Sequence, residues 1–251
     1  MNDEELLRYS RQILLQGFDV EGQEKLAAGS VLLIGAGGLG CPAAMYLASS
    51  GVGHLVICDD DDVELSNLQR QIGHATSDIG KPKVVSLQET LLALNPAVRV
   101  TAISHRLSPD ELDQWIGRVD LVLDCTDHFE SRFLLHEHCY RKQKPLVSGA
   151  AVRSEGQLAV FDFRQPESAC YGCLYPDAGS EEAANCSENG VLAPLVGVIG
   201  SLQALEAIKL LSGYGESSAG RLLVMDVRYG EWRELVLKQR LGCPICSGAA
   251  G

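Results

Sequence analysis

Basic charge is scarce in this 251-residue chain, where 21 lysines and arginines face 33 aspartates and glutamates for a net charge of −12. Such a surface repels a phosphate backbone, which argues against nucleic acid and favours a small protein partner with a basic patch or an apolar docking face. No secretory leader is expected either. Asp3 to Gln16 alternates charged and apolar residues at helical spacing, with Leu6, Leu7, Ile13 and Leu14 available for burial, and is too polar for a signal peptide. No apolar run is clean enough to read as a membrane span. The longest, 191–211, is interrupted by Pro194, Gly197 and Gly200 and carries Gln203, Glu206 and Lys209, so it reads as a buried or interface helix. Internal repeats and low-complexity tracts are absent. With 46% hydrophobic residues, the chain can bury a substantial core as one α/β unit with additions, and a cytoplasmic location away from membranes is expected.

What is present is a phosphate cradle. Val31-Leu32-Leu33-Ile34 has the content of a buried parallel strand, and Gly35-Ala36-Gly37-Gly38-Leu39-Gly40 follows at once, opening onto a helix predicted over Cys41 to Ser50. Glycine allows the tight turn and the close approach of backbone to phosphate, while the helix N-terminus presents free N–H groups to an anion. A second apolar run, Leu55 to Cys58, ends in Asp59, at the spacing where such a fold bonds a ribose hydroxyl. The residues that follow separate ATP from NAD. Ser66, Asn67, Leu68, Gln69 and Arg70 lie just beyond the second strand, and Lys83 sits in a helix predicted over Lys81 to Leu94. A triphosphate needs such cations and amides, whereas a dinucleotide dehydrogenase does not. A further strand, Val119 to Asp124, runs into Cys125-Thr126-Asp127 at the strand edge where open α/β sheets bind ligands, which makes Asp127 a candidate magnesium ligand. Helix capping is the competing role for Asp124 and Asp127.

The chain has nine cysteines, and a reducing compartment would not keep them as disulfides. Two Cys-x-x-Cys pairs, Cys170 with Cys173 and Cys243 with Cys246, can together close a tetrahedral site of the kind structural zinc occupies, clipping the C-terminal region to the middle of the chain. A redox dithiol is the competing reading of either pair. Cys186 stands in a polar stretch, 176–189, that reads as a long loop. Cys41, Cys58, Cys125 and Cys139 fall on predicted elements and read as small buried hydrophobes. Beyond a strand at Leu146 to Ser148 the pattern changes. Gln157 to Phe163, Leu222 to Val227 and Trp232 to Leu237 resemble antiparallel strands. The expected fold is therefore α/β: a Rossmann-like, doubly wound, mostly parallel sheet continued by antiparallel strands, with a structural zinc site. The expected division is an N-terminal helical segment (1–24), a nucleotide-binding half (25–150) and a partner-docking and zinc half (151–251).

With these residues in view, the chain resembles the HesA/MoeB/ThiF family, relatives of the ubiquitin-activating enzymes. The resemblance runs through Arg8-Tyr9-Ser10-Arg11-Gln12, Gly35 to Gly40, Leu65 to Gln71, Leu123 to Asp127, Leu146 to Ala151, Cys170 to Leu174, Gly197 to Leu211 and Gly242 to Cys246. It implies ATP-dependent adenylation of the C-terminal glycine of a small ubiquitin-like sulfur carrier ending in Gly-Gly. By the same resemblance, Gly35, Gly37, Gly38 and Gly40 cradle phosphates, Asp59 holds the ribose, Asn67, Arg70 and Lys83 hold the triphosphate, and Asp127 holds magnesium. Arg11 would reach the ATP of the second subunit in a homodimer. His128 stands where the family usually has asparagine, beside the nucleotide. Related enzymes carry a cysteine at the position of Cys186 that can take a thioester or persulfide link. There is no room for a sulfurtransferase domain of the rhodanese kind, so a separate sulfur donor protein is expected. Pro145 to Ala151 and Glu155-Gly156-Gln157 resemble the molybdopterin branch, which is favoured. The opening Met1-Asn2-Asp3, the run Asp59 to Asp62 and the Gly242 to Cys246 ending resemble the thiamine branch equally well. An NAD-dependent oxidoreductase and a noncatalytic zinc scaffold are the alternatives from other classes.

Overall fold

The structure, a computed structural model, describes residues 1–176 and 190–246. Instead of one helix through Gln16, the chain opens with α1 (Asp3–Arg8) and α2 (Ser10–Ile13), divided at Tyr9. Tyr9 is buried, and its hydroxyl accepts a hydrogen bond from Asn95 Nδ2 at 2.8 Å. The break splits the apolar stripe, so the expected leucines do not enter this chain's core: Leu7 and Leu14 stay 77% and 74% exposed. Helix α3 (Asp19–Ala28) crosses the expected boundary at residue 24 and leads directly into the sheet.

Eight strands form one sheet: β1 (Ser30–Ile34), β2 (His54–Cys58), β3 (Arg99–Ile103), β4 (Leu121–Asp124), β5 (Leu146–Val152), β6 (Glu155–Phe161), β7 (Arg221–Asp226) and β8 (Glu231–Val236). Their order is β3-β2-β1-β4-β5-β6-β7-β8, parallel from β3 to β5 and antiparallel from there to β8. Parallel strands need both faces covered, which is why β1, β2 and β4 read as nearly continuous apolar runs. Alternate residues serve the two faces. Val31, Leu33, Leu55, Ile57, Leu121 and Leu123 pack on the side of α3, α4 (Gly40–Ser49), α5 (Lys83–Leu94) and the long helix α9 (Ala193–Ser212). Leu32, Val56 and Val122 pack on the side of α6 (Pro109–Arg118), α7 (Phe129–Arg141) and the short helix α8 (Tyr171–Leu174).

Helix α9 corresponds to the longest apolar run. Length and composition alone would let it cross a membrane, yet its Leu195, Ile199, Ala204 and Ala207 are built into the sheet's core. Its polar residues face inward with partners. Gln203 Nε2 donates to the carbonyls of Asp124 (2.7 Å) and Val147 (3.2 Å), and Glu206 pairs with Lys209 at 2.6 Å. At Gly200 the helix presses so close to α4 that a Cβ would lie 2.3 Å from Leu39 O. The buried-helix reading of this segment holds.

Candidate active site

The crevice lies at the C-terminal ends of β1 and β4, where chain connections leave to opposite sides of the sheet and open α/β folds take their ligands. A cleft of about 310 Å³ opens there. It gathers Gly35, Gly37 and Gly38 from the turn after β1, Asp59 and Asp61 after β2, Arg70, Lys83 at the start of α5, Arg106 after β3, and Thr126, Asp127, His128 and Arg132 around the start of α7. Four lysines and arginines, Arg70, Lys83, Arg106 and Arg132, line the cleft together with four aspartates, Asp59, Asp60, Asp61 and Asp127, so it offers cations to phosphate and carboxylates to a hydroxyl or a metal ion.

The glycine turn is shaped by close contact. Gly35 has φ +98°, and a Cβ there would lie 2.7 Å from Cys125 O. At Gly40, which does not itself line the cleft, a Cβ would lie 1.8 Å from Gly35 O. Helix α4 begins on this turn with no side-chain cap, but Cys41 N donates to Gly37 O at 2.9 Å, Ala43 N to Leu39 O at 3.3 Å and Pro42 has no N–H, so the amides that can meet a ligand are those of the turn itself, where Gly37 and Gly38 line the cleft. The turn is held at Ala36 from two sides. Asp59 Oδ2 accepts from Ala36 N at 2.6 Å, and His74 Nε2 lies 3.0 Å from Ala36 O, with Nδ1 2.9 Å from Ser86 Oγ. Burial raises the Asp59 carboxyl above its ordinary range, opposed by Lys83 and the amides of Asp61 and Ala36. Burial also lowers the His74 imidazole, against the bond to Ala36.

Lys83 is 5% exposed and ion-paired with Asp61 Oδ2 at 2.6 Å. The pair holds the ammonium in the cleft until a stronger anion competes for it. Arg70 Nη1 donates to Ser66 O at 3.2 Å, and Asn67 Oδ1 accepts from Gln71 Nε2 at 3.1 Å. Of the run Ser66 to Arg70, only Arg70 lines the cleft; Ser66, Asn67, Leu68 and Gln69 do not. The run coils into a 3-10 turn over Leu65–Asn67, so successive side chains point in different directions. Asp127 is exposed and its Oδ1 lies 3.4 Å from His128 Nε2. Asp124 caps no helix: it is buried, with Oδ1 accepting from Thr126 N and Oγ1 (3.0 and 2.7 Å) and Oδ2 from Ser148 Oγ (2.8 Å). Arg11 is exposed on α2 and does not line the cleft of its own chain. Sequence reasoning missed Asp61, His74, Arg106 and Arg132. The strand-edge rule that found Asp127 would have flagged Arg106, which follows β3, but no local pattern marks the others.

On the opposite side of the sheet the four expected cysteines converge. Cys170 stands at the start of α8 and Cys173 lies within it, and the sulfur separations are 3.7 Å (Cys170 to Cys173), 3.5 Å (Cys170 to Cys243) and 3.3 Å (Cys173 to Cys246). All four sulfurs lie within 4.8 Å of one another, an arrangement that could hold one metal ion. These distances are too long for a disulfide, whose sulfurs sit about 2.05 Å apart. Burial works against ionising Cys243, but the backbone amides of Cys246 and Ile245 together with the Cys170 and Cys246 thiols pull it down to about 6. Cys41, Cys58, Cys125 and Cys139 are buried as expected. Cys186 lies outside the described residues.

A family model described as the ThiF family matches residues 9–245. The molybdopterin-synthase adenylyltransferase of Escherichia coli (strain K12) is 49% identical over 246 residues, covering 98% of each chain. The sulfur carrier protein ThiS adenylyltransferase of the same strain is 50% identical over 250 residues, covering 99% of this chain and 98% of that one. Among solved structures, E. coli MccB with MccA-N7isoASN superposes with a TM-score of 0.84 at 23% identity, over 98% of this chain and 75% of that one, which shows a common fold. Matched by that family model over residues 9–245 and about half identical along its length to two adenylyltransferases, the chain belongs to the ThiF family.

Proposed function

We propose that this protein adenylates the C-terminal glycine of a small ubiquitin-like sulfur carrier at the expense of ATP, releasing pyrophosphate. The carrying observation is the meeting, in one cleft, of the uncapped glycine turn with Arg70, Lys83 and Asp127, in a chain about half identical to adenylyltransferases along its whole length. The carrier's terminal carboxylate, with a reference pKa of roughly 3.3 to 3.7, is already ionised at neutral pH and needs no general base. It attacks the α-phosphorus in line, forming the acyl-phosphate bond as the bond to pyrophosphate breaks. The protein's contribution is alignment and charge neutralisation. The turn's amides take phosphate oxygens, Arg70 and Lys83 meet the triphosphate, and Asp59, already bonded to Ala36 and Asp61, has lone pairs left for the ribose. Exposed at the cleft, the Asp127 carboxylate suits magnesium, which takes hard oxygen ligands and is commonly held by one or two carboxylates plus substrate phosphates. When bound, magnesium would neutralise charge on the phosphates.

The reading extends to the assembly. Leu7 and Leu14, left exposed on α1 and beside α2, flank Arg11 and favour a homodimer in which Arg11 serves the other subunit's cleft. Residues 25–150 supply the nucleotide site and 151–251 the docking surface and the metal clip. Zinc is the ion we assign to the four cysteines, because a tetrahedron of bonds about 2.3 Å long has edges of about 3.8 Å, close to the sulfur separations. A cytoplasmic location, a separate sulfur donor and an optional covalent role for Cys186 complete the proposal. The favoured carrier belongs to the molybdopterin pathway. The thiamine-pathway carrier is the second reading, because the relative acting on it is 50% identical. ATP–pyrophosphate exchange with each carrier, intact and lacking its last glycine, tests the proposal. Exchange dependent on that glycine supports it and identifies the carrier. No exchange from folded protein that binds ATP overturns it.

A further inference from the structure

Arg132 lies in the first turn of α7 and is 7% exposed. A guanidinium so far out of water needs partners, and this one lies near the Asp124 carboxylate with Nε buried and unpaired and its Nη2 bonded to one backbone carbonyl. Nη2 donates to Thr126 O at 2.6 Å, short enough for a charge-assisted bond. The cation sits 5.9 Å from the Phe129 ring centroid, and the Tyr171 side chain, between Cys170 and Cys173, lies against the same guanidinium. Thr126 is held from its other side as well, since its N–H and hydroxyl both donate to Asp124 Oδ1, and Asp124 is itself fixed by Ser148. The N–H, hydroxyl and carbonyl of Thr126 are thus all engaged. The next residue is Asp127, whose exposed carboxylate has His128 as its neighbour at 3.4 Å. Polar ties at Thr126 add to the bond from Cys125 N to Ile34 O (2.9 Å) in holding the loop, and the Asp127 side chain hangs from the anchored peptide.

We propose that Arg132 is a positioning residue for the adenylation reaction: reaching back from α7, it orients the Thr126–Asp127 peptide so that Asp127 meets the magnesium-bound triphosphate. The inference rests on the adenylation reading and adds to it a residue that acts through another. A bond to the carbonyl preceding a ligand aims that ligand as a partner behind a metal ligand does, and loss of such partners costs about 10- to 100-fold in metal affinity or activity. Lysine offers one donor to Thr126 O but lacks the planar fork that also fits against Phe129 and Tyr171, so it restores part of the effect.

The test compares Arg132→Met, Arg132→Lys and Thr126→Val with the parent protein in three measurements. These are pyrophosphate exchange against magnesium concentration, calorimetric ATP binding with and without magnesium, and thermal melting. Arg132→Met is expected to raise the magnesium needed for half-maximal exchange about tenfold and to lower maximal exchange by about 10- to 100-fold. Its metal-free ATP affinity should fall less than its magnesium-dependent affinity, because the glycine turn is intact and Arg132 is one of four basic residues at the cleft. Arg132→Lys should fall between, and Thr126→Val, which cuts the hydroxyl tie to Asp124, should shift the magnesium requirement the same way. An unchanged magnesium requirement overturns the proposal, whether activity falls along with the melting temperature or does not fall at all. If Arg132→Met does not fold, the other two variants decide. If the parent protein shows no exchange with any carrier, the adenylation reading fails, while the magnesium dependence of ATP binding still decides Arg132.

Discussion

Replacing Gly40 by alanine probes the closest contact in the glycine turn. The new Cβ would lie 1.8 Å from Gly35 O and 2.9 Å from Gly35 C, and separations below 3.0 Å are not found for real Cβ atoms. Relief requires the two backbone segments to part by at least 1.2 Å, the difference between 3.0 and 1.8 Å. Neither side can yield cheaply. Gly35 N donates to Cys58 O at 2.8 Å and its Cα faces Cys125 O, while α4 is locked against α9 at Gly200. The helix N-terminus must therefore move by more than an ångström relative to the strand edge. Misplacement of that size costs about 100-fold in rate, or about 2.7 kcal/mol of transition-state stabilisation. Steady-state pyrophosphate exchange over a range of ATP concentrations, together with calorimetric ATP binding, measures it. Gly117→Ala serves as the control, because its Cβ meets nothing within 4 Å near the end of α6. That variant should keep full activity and gain about 0.5–1 kcal/mol of stability from reduced backbone entropy. Parent-like exchange and ATP affinity in Gly40→Ala would show that the turn is looser than its contacts require, and would refute the reasoning.

Metal analysis of the parent protein should find one zinc per chain, and Cys243→Ser should lose it with a fall in melting temperature and faster proteolysis near residue 240; a variant that keeps metal and melting point refutes the clip. Glu111 and Asp78 are both held down to about 2 from ordinary values of 4.5 and 3.8, Glu111 mainly by the Ser108 amide and hydroxyl and Asp78 mainly by the Ala75 amide. Their contributions are complete above the unfolded values and are lost as pH falls from about 5 towards 2, so Ser108→Ala should flatten the acid limb of a melting-versus-pH curve, and an unaltered limb counts against the assignment. Burial pushes the Cys41 and Cys58 thiols up to about 12 and raises Cys125 and Cys139 as well. Iodoacetamide at pH 8 should therefore label these four only after denaturation, as read by mass spectrometry, and rapid labelling of the native protein would contradict their burial.

Patterns carried within a few residues were legible. Apolar runs marked β1 and β2, the glycine string marked the turn, and the paired Cys-x-x-Cys spacing brought four sulfurs together across 73 residues. The run Ser66 to Arg70 shows where such reading stops. Its residues are adjacent in sequence, but a 3-10 turn sends neighbouring side chains in different directions, and only Arg70 lines the cleft. The N-terminal helix failed for a related reason. Burying Tyr9 against Asn95 broke the helix and left Leu7 and Leu14 outside, a result set by a contact across 86 residues.

The sequence by itself determined the local chemistry of this protein: which strands are buried on both faces, where the backbone turns tightly on glycine, and which thiols come together. Those properties follow from side-chain period and from residue types with one dominant use. Only the tertiary structure decided which charges face each other. Lys83 meets Asp61, and Asp124 binds Ser148 instead of capping a helix, because parallel strands in the order β3-β2-β1-β4-β5 deliver their C-terminal ends to one edge. Residues that lie tens of positions apart in the chain become neighbours there, and burial makes their pairing obligatory.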